Sequence, residues 1–218
     1  HCSPDTYQPP SAPGCEPYAC SGTAAACPTS CTTHDDCAAS DPRYVCVAGS
    51  CIRGRLAFVT STNYPEAGLI GSQANADVIC QSHASIAGFP GAYRAWLSTA
   101  RSAARDRFGA TTLPYVLRVG ATGRTILADN WSDLTDGTLD TPFGRDEQGN
   151  PVDAGVWTGT SFVGGSTGAD CGEWSSSAGT ATVGNTVSTN SNWTAVLPSA
   201  PCTWTAGPRR LYCLEIND

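Results

Sequence analysis

Hydrophobic and polar positions change their period several times along the chain, and each change predicts an element. Leu56-Ala-Phe-Val-Thr60 alternates with the two-residue period of a strand. From Ser72 to Ala87 the period becomes helical, with Ala76, Ile79, Cys80, His83 and Ala87 on one stripe. Ser72 is placed to cap that helix, and Gly88 with Pro90 ends it. Tyr93–Ser98 alternates again, and Pro114–Val119 with Thr125–Leu127 predicts a hairpin joined through Gly120-Ala-Thr-Gly123. Residues 99–108 between them offer a short helix. After Trp131 the patterning fades, and 158–205 is dominated by Gly, Ser, Thr and Asn, which predicts a long ordered loop region pinned by cysteines and tryptophans. The chain closes with an apolar strand at 210–216.

Before residue 55 the texture differs. Eight of the twelve cysteines (Cys2, Cys15, Cys20, Cys27, Cys31, Cys37, Cys46, Cys51) precede it, among prolines and few aliphatic residues. Such a segment cannot bury enough apolar surface to offset its chain entropy without cross-links. Residues 1–54 are therefore expected to form a disulfide-rich module and 55–218 a larger domain. A zinc set of Cys27, Cys31, His34 and Cys37 is the competing use of these thiols. The even cysteine count favours disulfides in an oxidising compartment.

With 40% apolar residues the chain can form a packed core, which excludes a disordered or fibrous class. Its net charge of -7 disfavours duplex nucleic acid as a partner. No apolar run approaches the roughly 18 residues of a membrane-spanning helix. The start at His1 and the lack of Met lead to the expectation of a mature chain, secreted or displayed at the cell surface.

Gly71-Ser-Gln-Ala-Asn-Ala-Asp-Val-Ile-Cys80 through Gly88, followed by Pro90-Gly-Ala-Tyr-Arg-Ala-Trp-Leu-Ser98, resembles the helix and strand of endostatin, the C-terminal fragment of collagen XVIII. The resemblance continues at Ala128-Asp-Asn-Trp131-Ser-Asp-Leu134, Val156-Trp-Thr-Gly159, Cys171-Gly-Glu-Trp174 and Leu211-Tyr-Cys-Leu-Glu215, and extends to bacterial endostatin-like surface proteins. It implies an α+β, C-type-lectin-like fold over about residues 56–218, with nested bridges Cys80–Cys213 and Cys171–Cys202. A bridge closing more than a hundred residues removes roughly 4–5 kcal/mol of unfolded-chain freedom on the entropy model. The activity it implies is binding. The histidines that hold zinc in endostatin have no counterpart here, and the carboxylate triplets that hold calcium in sugar-binding C-type lectins are not matched.

Charge placement adds candidates. Arg94, Arg101, Arg105, Arg107, Arg118 and Arg124 stand against Asp106 alone over 94–124. Such a strip can grip sulfate or carboxylate bidentately, or it can be a solvated face or a contact between copies. Asp133, Asp136, Asp140, Asp146 and Glu147 lie among glycines and supply the hard oxygen ligands calcium requires, so Ca²⁺ is the one candidate cofactor. Trp174, Trp193 and Trp204 can form a sugar-stacking platform or anchor the loops. His83, with no partner visible nearby in sequence, is expected to pack half-buried. No nucleophile elbow, His-Glu-x-x-His or phosphate loop is present, and the three histidines are scattered.

The expected function is non-catalytic recognition of an extracellular protein or acidic polysaccharide. The alternatives are a filament or coat subunit, built by docking the Cys-rich module of one copy on the domain of the next, and a secreted carbohydrate-active enzyme using two of the nineteen acids.

Overall fold

The computed structural model describes residues 15–19, 27–38, 41–204 and 207–216. Cys2 and Cys20 lie outside the described residues. The architecture is α+β, with about twice as much strand as helix.

The Cys-rich module contributes one short hairpin, β1 (Tyr44–Val47) and β2 (Ser50–Arg53), turned through Ala48 and Gly49 at positive φ. Its bridges are Cys15–Cys27, Cys31–Cys46 and Cys37–Cys51. These pairings correct the zinc alternative. Cys27, Cys31 and Cys37 are consumed in three different disulfides, and His34 Nδ1 accepts the Cys46 amide at 3.1 Å. The sulfurs of Cys31, Cys37 and Cys51 lie close together because two bridges cross there.

β3 (Arg55–Val59) is buried along its whole length: Leu56–Val59 is an unbroken apolar run, and the Arg55 guanidinium donates to the Gly109 carbonyl at 3.2 Å. Ser72 caps α1 (Gln73–Ile86) as expected, its side chain accepting the Asn75 amide at 3.0 Å. β4 (Tyr93–Ala95) and the hairpin of β5 (Tyr115–Val119) with β6 (Gly123–Ala128) follow, separated by a 3-10 turn at Ala104–Asp106 where a short helix was expected. One turn of helix, α2 (Trp131–Leu134), is capped by the Asn130 side chain.

The segment expected to be loop carries β7 (Gly155–Trp157), β8 (Thr180–Asn185), the one-turn α3 (Asn192–Ala195) and β9 (Leu197–Pro201), a correction to the irregular region predicted there. With β10 (Arg209–Arg210) these strands form a second sheet in the order β10-β7-β8-β9. Its edge strand β9 contains Pro198 and Pro201. The pattern is obscured because buried positions in and beside the sheet are threonines rather than aliphatic residues. Thr158, Thr160, Thr182 and Thr194 are fully buried, each with its hydroxyl bonded. Thr158 Oγ1 donates to the Thr194 carbonyl at 2.6 Å, Thr160 Oγ1 to the Thr158 carbonyl at 2.6 Å, and Thr182 Oγ1 to the Pro198 carbonyl at 3.2 Å.

The last strand, β11 (Tyr212–Glu215), enters the middle of the larger sheet, whose order is β4-β11-β3-β5-β6. β3 and β5 are parallel and the other pairs antiparallel. Alternation divides the core. Leu56, Phe58, Val116 and Cys213 face a cluster with Ala76, Cys80 and Ala84 of α1, while Ala57, Val59, Leu117, Tyr212 and Leu214 face one with Trp96, Phe143 and Trp193. Cys80 is bonded to Cys213 and Cys171 to Cys202, the pairings the endostatin resemblance implies.

Two arginines fasten the module to the body. Arg124 of β6, 8% exposed, donates to the carbonyls of Tyr44 at 2.7 Å, Ala38 at 3.1 Å and Cys37 at 3.3 Å. Arg43 grips Asp41 through Nε and Nη2 and reaches Glu215 with Nη1 at 3.2 Å. Glu215 also accepts the Leu56 amide. Burial pushes its carboxyl up from 4.5 to about 7, with the Asp41 charge adding to it, against the Leu56 hydrogen bond and Arg43.

Two outcomes follow for stability. Arg124→Ala strands three carbonyls and is expected to cost about 2–4 kcal/mol, read as a lower urea midpoint with disulfides intact and as earlier proteolysis between residues 38 and 55. Because the folded-state value of Glu215 lies above its unfolded one, its contribution is full below pH 4.5 and is lost as pH rises through about 7. Unfolding midpoints across that window should flatten in Glu215→Gln relative to the parent.

Candidate functional site

Four of the six arginines of the predicted strip form two pairs. Arg94 and Arg107 converge on Asp77 of α1, and Arg107 also donates to the carbonyls of Ala95 and Leu97 at 3.0 and 3.1 Å. Arg107 is committed to Asp77 and fixes α1 against β4, while the Arg94 side chain stays 40% exposed, 4.0 Å from the same carboxylate. Arg101 and Arg105 stay outside, their side chains 85% and 54% exposed. Arg101 meets Glu173 at 3.1 Å and Arg105 lies 3.8 Å from Asp106, pairs too solvated to hold either cation firmly. Arg118 bonds the nearby carbonyls of Gly120 and Ala121.

The tryptophans are corrected from platform to core. Trp174 and Trp193 are fully buried. Trp193 packs between Trp96, Phe143 and Tyr212, and Trp174 donates to the Ser98 carbonyl at 2.9 Å. Trp204 is half-buried beneath the Arg209 guanidinium, 4.3 Å from its ring centroid. Trp174 closes a left-handed turn, with φ of 52° at Cys171, 62° at Gly172, 58° at Glu173 and 69° at Trp174. L-residues adopt this conformation singly and rarely in succession. Here the Cys171–Cys202 bridge, the buried indole and Asp170, which accepts the amides of Glu173 and Ala100, hold it.

The five candidate calcium ligands do not form one set. Asp146 is turned inward, accepting the amides of Gln148 and Asn150 within a tight turn. In that turn Gly149, at φ 83°, presses on the Gly120 backbone so closely that a Cβ would sit 2.5 Å from the carbonyl oxygen. Asp133 accepts the Asp129 amide and Asp136 the Thr138 amide and hydroxyl. Desolvation, then the charges of Asp133, Asp129 and Asp136, push the Asp140 carboxyl up, so these acids repel one another. Among the described residues no three carboxylate or imidazole side chains bring ligand atoms together at metal-binding distance.

Glu147 belongs to a different arrangement, one that local sequence could not reveal. Its carboxylate is 2.7 Å from His83 Nδ1 and accepts the Ser61 amide at 3.0 Å and the Ser61 hydroxyl at 2.5 Å. His83 thus has a carboxylate partner 64 residues away, which corrects the expectation of a packing histidine without one. Burial alone would raise the Glu147 carboxyl, but the hydrogen bonds from His83, Ser61 and its own backbone, with the His83 charge, hold it down at about 2. The Ser61 hydroxyl is bonded to the carboxylate and not to the imidazole. The group braces α1 to the turn around Asp146 and to the exit of β3.

Two surface features were not predicted. Phe162 and Val163, 44% and 40% exposed, form the tip of a loop closed by the Thr160–Ser166 bridge. Arg105 donates its amide to Gly164 at that tip, and a side chain at Gly137 would strike the Phe162 ring. The tip therefore stands between Arg105 and the loop of Asp136 and Gly137. The second feature is a groove of about 800 Å³ along β5 and β6. No protein-family model matches the chain, and no curated protein is similar to it.

The brace makes a pH prediction. A carboxyl held near 2 against 4.5 when unfolded contributes stability that is complete above pH 4.5 and is lost as pH falls toward about 2. Glu147→Gln should be less stable than the parent at pH 7 and converge with it near pH 2 in urea titrations.

Proposed function

We propose that this chain is a secreted or surface-displayed, non-catalytic recognition protein, an endostatin-like C-type-lectin-like domain carrying a Cys-rich module. Many disulfides, and among the described residues no helix long and apolar enough to cross a membrane, fit an extracellular setting. The observation that carries the reading is the exposed Phe162–Val163 tip beside Arg105, with the exposed Arg101 four residues earlier in the same connection. Interfaces concentrate their energy in an aromatic anchor ringed by charge, with arginine favoured over other cations. An apolar tip of this kind gains most against an acidic extracellular protein, which can bury it, and less against an acidic polysaccharide, which can pair only with the arginines.

Two arrangements support binding over chemistry and a single-chain unit over a filament. In the His83–Glu147–Ser61 group the hydroxyl donates to the carboxylate, so no imidazole is placed to activate it. The described part of the module is docked on its own chain through Arg124 and Arg43, which occupies the surfaces a neighbouring copy would need.

Immobilised matrix proteins and acidic polysaccharides, titrated with the intact chain, test the proposal. Phe162→Ser should weaken the protein contact about tenfold or more, and Arg101→Glu with Arg105→Glu should weaken it further at low salt than at high salt. Unchanged binding in both variants would refute this assignment of the surface.

A further inference from the structure

The groove on β5 and β6 is separate from the Phe162 tip and has a different chemistry. Its lining is aliphatic, with Leu117, Val119, Val152 and Val187, and no aromatic ring is among the residues that form it. Two of its threonines are already bonded. Thr186 Oγ1 donates to the Val152 carbonyl at 2.8 Å, and Thr141 Oγ1 lies 3.4 Å from the Ile126 carbonyl.

Arg145 is not. It is half-buried in the lining, and its guanidinium has no hydrogen bond or ion pair among the described residues. Arg124 also lines the groove, with Nη1 and Nη2 committed to the module and a buried Nε that has no partner. The single acid there, Asp153, is exposed. Two arginines against one aspartate leave the lining with one net positive charge. An unpartnered guanidinium beside an aliphatic wall can take a planar carboxylate through two parallel hydrogen bonds.

We propose that this groove binds an aliphatic monocarboxylate, with the carboxylate on Arg145 and the hydrocarbon body against Leu117, Val119, Val152 and Val187. The missing aromatic ring argues against a sugar, which would need a stacking face. The single net positive charge matches a monoanion and not a multiply charged ligand.

Calorimetric titration of the intact, disulfide-bonded chain with decanoate below its micellar concentration tests the site, with decanol as the uncharged control. Decanoate is expected to bind at one site, at least about tenfold more tightly than decanol, the difference a charge-assisted contact supplies. Arg145→Gln should abolish that difference. Val187→Asp, at a half-exposed position that leaves the fold unburdened, should weaken decanoate about tenfold or more and serves if the arginine variant unfolds. Failure of decanoate to bind, equal binding of decanol, or undiminished binding by the folded variants would overturn the proposal. So would tighter binding of an aliphatic peptide with a free C-terminus than of decanoate.

Discussion

The larger sheet is completed only by the last strand of the chain. β11 lies between β3 and β4, contributes Leu211 and Cys213 to one core cluster and Tyr212 and Leu214 to the other, and is bonded through Cys213 to Cys80 at the middle of α1. Remove it and β4 has no partner, both clusters lose a wall, and Glu215 no longer reaches Arg43. The bridge spans 133 residues, so its main effect is on the unfolded chain, which it keeps from wandering far from this closure. The module, through Arg43, and the first helix, through Cys80, are both tied to this one strand.

How well each element could be read depends on what its buried face is made of. β3, α1 and the β5–β6 hairpin bury aliphatic or small residues at the period their geometry requires, so Leu56–Thr60, Ser72–Ala87 and Gly120–Gly123 were legible within a residue or two. β8 hides because its buried positions include Thr182 and Gly184, and Gly184 is there so that α3 can pack with the Trp193 carbonyl against it. Such a strand meets its polar demand through a hydroxyl network, which depends on partners distant in sequence and leaves no hydrophobic period to detect.

The site was legible in part for a related reason. Residue type identified Arg101 and Arg105 as cations but could not show that Arg94 and Arg107, in the same strip, would converge on Asp77. The acids of 133–147 share a stretch of chain yet serve three structures: Asp133 and Asp136 cap local turns, Asp146 closes a hairpin-like turn, and Glu147 crosses to Ser61 and His83. The tryptophans were read correctly as anchors and incorrectly as a platform, because the residue is the same in both roles and only burial separates them. Arg145, alone among acids in sequence, gave no sign of lining a groove.

The β9 edge closes the second sheet with two prolines in five residues, and an imino acid offers no N–H to a strand laid alongside it. With Pro198 and Pro201 on that rim, two of its five positions offer no donor, so a strand laid along this border would lack a full ladder and this side of the sheet is blunted against growth.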